Sequence, residues 1–203
     1  MQETRKACRW SYNYEIRITK YKIDMKRHEV RKENGSYCVL IHRSEIVYDV
    51  ELATWALTKT HFVSVKGAQT EDNLEQVLED AQDSVIDERM SDWIDRKVKA
   101  AVSMVKSTIS PMVVQYSRIA SDEILDTPLQ WHIQLHFDGN WRGDVQTLCD
   151  FIHEYVTNKV TYEWCVLKFP STAPTIMAQA DASLRDVRAE AYKMGPVSAG
   201  WTL

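Results

Sequence analysis

The most constraining feature of this sequence is the regular spacing of apolar residues in its last third. Between residues 174 and 194 an apolar residue recurs every three or four positions, which is the repeat of an α-helix with one buried face. A second such run begins after Asp144, a residue type that caps helices, and continues to Phe169-Pro170. We expect two long helices that pack along these stripes, the second ending at Gly195-Pro196. The predicted stripes consist of Val145, Leu148, Ile152, Val156, Val160, Trp164 and Leu167, and of Ile176, Met177, Ala180, Leu184, Val187, Ala191 and Met194.

Three further helices are predicted from the same periodicity earlier in the chain. The first covers 45–60, after Ser44 as a possible cap. The second starts at Thr70, and the third runs to 109, where Pro111 stops it. A single helix of about 40 residues is unusual in a domain of this size, so we place a break near 84–87. The apolar stripe of the second helix consists of Leu74, Val77, Leu78, Ala81 and Val85.

Two regions have the alternation that is typical of β-strands. Asn34-Gly35 is a strong turn signal because both positions tolerate positive φ, and it predicts a hairpin whose second strand spans Ser36–His42. The segment 129–137 alternates apolar and polar residues. We therefore predict an α+β fold, predominantly a helical bundle, with an N-terminal β-hairpin and a small antiparallel β-insertion at about 112–138.

Length and composition limit the class of protein. With 203 residues, of which 44% are hydrophobic, the chain can form one ordinary domain with at most a small appendage. The polar N-terminus has no apolar core of a signal peptide, and no apolar run approaches the roughly 20 residues of a membrane span. Cys149 and Cys165 fall about 24 Å apart on one predicted helix, so they cannot form a disulfide. We expect a soluble protein made in the cytoplasm, with reduced cysteines.

Charge is distributed unevenly along the chain, although the net charge is only −4. Residues 1–45 contain 11 Lys or Arg and 6 Asp or Glu, a net charge of +5. Residues 70–96 contain 10 Asp or Glu and 2 Arg, a net charge of −8. The basic part could bind nucleic acid, the acidic part could mimic DNA, or the two could meet between neighbouring copies in an assembly. Both could also be solvated faces without a partner.

The search for catalytic or ligand-binding motifs finds none. His132 and His136 lie on one strand face about 13 Å apart, too far for one metal ion. His153-Glu154 has no second histidine four positions on, and Arg142 occupies a ligand position in the only calcium-like loop. The Arg142-Gly143-Asp144 tripeptide is explained by a loop followed by a helix cap. We therefore expect no catalytic, metal-binding or cofactor-binding residues and no enzymatic activity.

Three segments, taken in order, resemble a family of head–tail connector, or neck ring, proteins of tailed phages and prophages from Bacteroides-type hosts. The first reads IVYDVELAT and starts at Ile46. The second is the acidic helix entry 87–93 leading into 98–111. The third is the C-terminal half, with the strand WHIQLHF, the helix DFIHEYVTNKVTYEWCVLKFP and then ADASLRDVRAEAYKMGPV. The resemblance covers roughly 45–197.

The resemblance implies a non-enzymatic virion protein that forms a ring, usually of twelve copies, beneath the portal. Such a ring contacts the portal protein and other neck or tail proteins, and packaged DNA passes through it without sequence-specific binding. On this interpretation the chain has a basic hairpin region at 1–43, a connector core at 44–196 and a docking tail at 197–203. The candidate interface residues are Arg17, Lys20, Lys22, Glu75, Glu79, Asp83, Trp141, Trp201 and Leu203.

Two other classes of function remain as alternatives. The first is a phage accessory protein that binds nucleic acid or mimics DNA through one of the two charged segments. The second is an enzyme whose site has no familiar motif. This chain also departs from the connector family in its basic N-terminal hairpin and in its short ending, which reads VSAGWTL where an Arg/Pro-rich tail is expected.

Overall fold

A computed structural model describes residues 28–33, 35–66, 90–113 and 130–195. The described elements, in chain order, are β1 (His28–Glu33), β2 (Ser36–His42), α1 (Arg43–Lys66), α2 (Ser91–Thr108), β3 (Gln130–Leu135), α3 (Val145–Lys168) and α4 (Ala173–Ala191). Four helices and a three-stranded antiparallel sheet confirm the predicted helix-dominated α+β class. Among the described helices, none has both the length and the apolar character that a membrane span needs.

The sheet has the strand order β1-β2-β3, and both pairings are antiparallel. Glu33 pairs with Ser36, so two residues close the hairpin, and Gly35 has a φ of 79°, which glycine adopts without strain. The predicted hairpin is therefore confirmed. On the other side of β2, Ile133 pairs with Val39, so the predicted insertion strand adds directly to the N-terminal hairpin. The two predicted β regions form a single sheet.

Helices α1 and α2 differ in how they begin and end. Helix α1 follows β2 without a loop and runs to Lys66, six residues beyond the predicted end, because no helix-breaking residue precedes Gly67. Helix α2 ends as predicted, since a 3₁₀ turn with Pro111 follows it. The predicted helix starting at Thr70 lies outside the described residues.

Helices α3 and α4 form an antiparallel hairpin joined by a short turn, and they have the most extensive contact between helices in the described chain. Asp144 is the N-cap of α3, as predicted, and its side chain accepts a hydrogen bond from the Thr147 amide. Helix α4 ends at Ala191, three residues before the predicted end. The prediction that Met194 belongs to the buried stripe is wrong, because its backbone bridges to Trp141 and its side chain is 54% exposed.

The core lies where α3 is surrounded by the other elements. Its fully buried residues come from every described layer, and Trp164 of α3 is among the largest of them. Strand β3 contributes alternate residues, so the alternation seen in the sequence marks the core face correctly. The buried set includes Val39, Ile41, Ile46, Val50, Ile94, Val98, Ile133, Leu135, Ile152, Val156, Val160, Trp164, Ala180 and Val187.

Candidate interaction surfaces

The loop before α3 is attached to the end of α4 by an aromatic and polar cluster, which we call the clasp (residues 137–144 and 190–195). The Trp141 ring stacks on Phe137, with centroids 3.8 Å apart and planes 9° from parallel. Its Nε1 donates to the carbonyl of Glu190 at 3.1 Å, one of the last-turn carbonyls that have no partner within a helix. A Cβ at Gly143 would collide with the indole, so only glycine fits there.

Backbone hydrogen bonds extend the clasp beyond the end of α4. The Arg142 amide donates to the carbonyl of Lys193 at 2.8 Å, and the Gly195 amide donates to the carbonyl of Asn140 at 2.9 Å. These bonds form a short antiparallel bridge outside the main sheet. As a result, the position of Gly195 is fixed by the loop that precedes α3.

Glu190 is the buried charge at the centre of the clasp, with only 7% of its surface exposed. Its carboxylate accepts from the Asp144 amide at 2.6 Å and from Lys193 Nζ at 3.1 Å. A buried carboxylate needs such donors, because an unpaired charge removed from water is strongly destabilising. Glu190 therefore joins the C-terminal end of α4 to the N-terminal end of α3.

The carboxylate of Asp144 is occupied by its role as a helix cap. Hydrogen bonds from the amide and hydroxyl of Thr147 lower the pKa of Asp144 below its ordinary value. A capping carboxylate is also favoured by the positive end of the helix dipole. The tripeptide Arg142-Gly143-Asp144 is thus explained by the loop and the cap, as the sequence indicated.

The contact between α1 and α3 contains polar groups that are only partly bonded. His153 is buried, and its Nε2 lies 2.8 Å from Oδ2 of Asp49 on α1. The His153 Nδ1, the Thr157 hydroxyl and the Trp164 Nε1 are buried without a hydrogen-bond partner among the residues that the structure describes. These three residues lie on the same side of α3 because they are separated by four and seven positions. The side of α3 that faces α1 therefore contains buried polar groups, and several of them have no hydrogen-bond partner among the described residues.

Ion pairs connect α2 to its neighbours at two places. Arg43 Nε, at the start of α1, lies 2.6 Å from Oδ1 of Asp95. Glu163 of α3 accepts from Lys97 at 2.8 Å and from Lys159 at 3.0 Å. Burial alone would raise the pKa of Glu163, but the hydrogen bonds from the two lysines outweigh it and the pKa is lowered.

Three observations on the described residues bear on metal binding and on the reactivity of the thiols. Within these ranges no cluster of three His, Cys, Asp or Glu side chains could hold a metal ion. Burial raises the pKa of Cys149 to about 12 and that of Cys165 to about 11, so neither thiol ionises near neutral pH. His132 and His136 are both exposed, in agreement with their interpretation as surface residues.

An exposed surface of mixed apolar and charged character lies where α2 and α4 end. The Tyr192 hydroxyl reaches the carbonyl of Thr108 at 3.5 Å, which brings Tyr192 beside the last turn of α2. Met104 lies one turn earlier on α2, and Met194 follows Tyr192 in the clasp. Their exposed fractions are 50% for Met104, 41% for Tyr192 and 54% for Met194. We call this the α2–α4 surface; its members are Met104, Tyr192 and Met194, and the nearby residues Arg188 and Lys193 are exposed and charged.

The structure describes only one of the nine predicted interface residues. Trp141 is half-buried and bonded within its own chain by the clasp. The other eight lie outside the described residues, and their roles stay predictions. They are Arg17, Lys20, Lys22, Glu75, Glu79, Asp83, Trp201 and Leu203.

Sequence reasoning missed the buried polar residues that connect the helices. The sequence patterns predict no structural role for Glu190 or His153, although both are buried and bonded to residues distant in the sequence. A weak signal exists for Glu190, because it lies beside Val187 and Ala191 on the buried side of an otherwise regular apolar stripe. No family model, no curated protein and no solved structure matches this chain.

Proposed function

We propose that the chain is a structural virion protein, a subunit of a ring in the portal–neck–tail connector of a tailed phage. In this role it joins the capsid portal to the tail and surrounds the path of the DNA. The subunit is made in the host cytoplasm and assembles as a homo-oligomer with the portal protein and other neck proteins. The subunit functions through its shape and through its contacts with other copies of the chain.

The main support is the agreement between the resemblance and the fold. The segment with the most extensive resemblance folds as β3, α3 and α4; the two helices pack against each other, and Ile133, Val156 and Val187 all belong to the same buried core. A helical bundle with a small sheet is also the architecture that the connector family implies. The clasp gives the chain beyond Gly195 a defined point of departure, which suits a segment that docks on another subunit.

Size-exclusion chromatography with light scattering tests the proposal directly. The full chain is measured alone and mixed with the portal protein of the same phage genome. We expect ring-sized particles or a stable portal complex. A chain that stays monomeric, ignores the portal protein and binds DNA with strong salt dependence would instead support the nucleic-acid-binding alternative.

The predicted docking tail is tested by substitutions in residues 197–203. The double substitution Trp201→Ala and Leu203→Ala should leave thermal unfolding unchanged and weaken docking at least tenfold, because aromatic anchors contribute most to an interface. Ser198→Ala serves as the control in the same segment. Equal docking by all three proteins would remove the tail from the proposal without affecting ring formation.

A further inference from the structure

The outer side of α4 carries a row of residues that the described parts of the chain leave exposed to solvent. The row recurs at alternating intervals of three and four positions, which is the spacing that paired helices use for their contact. Five of its six members are exposed and Ala182 is half-buried, whereas the opposite side of α4 is buried in the core through Ile176, Ala180 and Val187. We call this the outer row; its members are Thr175, Ala178, Ala182, Arg185, Ala189 and Tyr192.

The outer row is complementary in size to a second copy of itself that runs in the opposite direction. When two such rows face each other around a two-fold axis between positions 183 and 184, every member meets a residue of the other copy. Each facing pair contains at least one small residue, which leaves room for the larger one and lets the two helices approach closely. The facing pairs are Ala182 with Arg185, Ala178 with Ala189, and Thr175 with Tyr192.

The charges beside the outer row match in the same register. Asp181 and Arg188 lie seven positions apart on one flank of the row, and both are exposed. In the antiparallel arrangement, Asp181 of each copy lies beside Arg188 of the other, so the contact contains two ion pairs. Neither side chain forms an ion pair within the parts of the chain that the structure describes. The second copy therefore supplies both of them with a partner of opposite charge.

The other flank and the centre of the row are compatible with this arrangement. Gln179 and Asp186 are exposed, and each Gln179 lies beside Asp186 of the other copy, where its amide can donate to the carboxylate. Near the two-fold axis, the aliphatic part of Arg185 lies over Ala182 of the other copy. Since each α4 contributes two aspartates and two arginines to this side, the contact carries no net charge.

Other pairings of the same two helices are disfavoured by charge. A shift of the antiparallel register by one heptad brings Asp181 beside Asp181 of the other copy, or Arg188 beside Arg188. A parallel pairing brings Asp181 beside Asp186, and Arg188 beside Lys193. Like charges placed side by side oppose association. The charges therefore select one direction and one register.

We propose that α4 pairs with α4 of a second copy, antiparallel and in this register, to form a two-fold dimer of the free subunit. The contact is isologous, because both copies use the same surface, whereas a single ring is closed by heterologous contacts between different surfaces. The dimer therefore goes beyond the proposed function and does not depend on it. One helix pair buries less than the roughly 1,600 Å² of a standard interface, so we expect a dissociation constant in the micromolar range.

Sedimentation velocity of the full chain, over a range of concentrations, tests the two ion pairs. The wild type should form dimers, and Asp181→Lys and Arg188→Glu should each raise the dissociation constant about tenfold, because each places like charges side by side twice. An equimolar mixture of the two variants should associate as the wild type does. A chain that carries both substitutions should do so too, because opposite charges again face each other in both pairs.

Cysteine crosslinking tests the direction and the register of the helices. Ala178→Cys and Ala189→Cys should not crosslink when each variant is oxidised alone, because the two copies of either position lie 11 residues, or about 16 Å, apart along the helices. A mixture of the two variants should crosslink, because positions 178 and 189 face each other. The wild type, which has four cysteines of its own, gives the background. Crosslinking of Ala178→Cys alone would show a different pairing and overturn the proposed dimer.

Lys99→Glu is the matched control for charge, because it changes the net charge as Arg188→Glu does at an exposed position of α2. It should leave the dimer intact. If it weakens association as much as Arg188→Glu, net charge is responsible and the proposed contact is wrong. A mixture of the two α4 variants that fails to recover association would also overturn it.

The failure of the dimer and the failure of the proposed function are distinguishable. Wild type that is monomeric at every concentration, yet binds the portal protein, overturns the α4 contact and leaves the proposed function standing. Wild type that dimerises with the crosslinks described, yet neither forms rings nor binds the portal protein, supports the α4 contact and contradicts the proposed function.

Discussion

Helix α3 contacts α4 on one side and α1 on another, and the two contacts differ in how their buried polar groups are bonded. Toward α4, the Ser183 hydroxyl lies within hydrogen-bond distance of Glu154 and Asn158, and Glu190 accepts from Asp144 and Lys193. Toward α1, His153 bonds to Asp49 by one nitrogen, while its other nitrogen and the Thr157 hydroxyl have no partner among the described residues.

The difference bears on stability, because a buried polar group without a partner costs about 1–3 kcal/mol whereas a bonded one is close to neutral or favourable. The α3–α4 hairpin, with its small buried residues Ala180 and Ala191 and the bonded side chains of Ser183 and Glu190, should be the most stable part of the molecule. Thr161 is the exception on this side, because its buried hydroxyl has no partner among the described residues. The α1 contact should tolerate, or gain from, replacement of its polar side chains. Four substitutions or conditions test this contrast.

Removal of the Glu190 side chain should have the largest effect. Glu190→Ala leaves the Asp144 amide and Lys193 without their acceptor, and we expect a loss of about 3 kcal/mol in the free energy of unfolding. Glu190→Gln keeps an acceptor for the amide and should cost about 1 kcal/mol. Urea denaturation followed by circular dichroism measures both. Equal small losses would mean that the clasp does not stabilise the hairpin.

Removal of the helix cap should cost less. Asp144→Ala removes the acceptor for the Thr147 amide, and caps of this kind contribute about 1 kcal/mol. Asp138→Ala, at an exposed position of the same loop, is the control and should change stability by less than about 0.5 kcal/mol. A change no larger than that of the control would show that the cap is dispensable.

Replacement of an unbonded hydroxyl on the α1 side should stabilise the protein. Thr157→Val exchanges the buried hydroxyl for a methyl group of similar volume, and we expect a gain of about 1 kcal/mol. Thr60→Val is the control, because that exposed hydroxyl donates to the carbonyl of Ala56. Destabilisation by Thr157→Val would show that the hydroxyl has a partner, such as an internal water molecule.

The smallest effect concerns acid stability. The lowered pKa values of Glu163 and Asp144 mean that both carboxylates stabilise the fold above the ordinary carboxyl range, and that this contribution is lost as pH falls below about 4. Between about pH 5 and 3 the wild type should lose about 0.5 kcal/mol of its free energy of unfolding through protonation of Glu163. Glu163→Gln lacks this loss, so its thermal unfolding should depend less on pH in this range. An unchanged pH profile would mean that Lys97 and Lys159 contribute nothing measurable through Glu163.

Local features of the fold could be predicted because they depend on neighbouring residues. The Asn34-Gly35 turn, the Asp144 cap and the stop at Pro111 each rest on a few positions, and the stripes of α3 and α4 rest on spacing alone. The stripes are wrong at their C-terminal ends, where Leu167 is 61% exposed and Met194 is 54% exposed. The position of β3 was found in the same way, because strict alternation marks a strand whatever it pairs with.

Long-range pairings could not be predicted, because no local pattern encodes them. The addition of β3 to the N-terminal hairpin joins Val39 to Ile133 across 94 positions, and the early end of α4 depends on its pairing with Trp141. The α2–α4 surface was missed for the same reason. Met104 belongs to α2 and Tyr192 to the end of α4, and only the tertiary fold brings them to one side.

The central claim, that this chain acts by assembling into a ring with its neighbours, is tested most directly by electron microscopy of the purified full chain mixed with the portal protein. We predict closed rings of uniform copy number that are centred on the portal axis. Portal particles without added density, beside a monomeric chain, would contradict the claim.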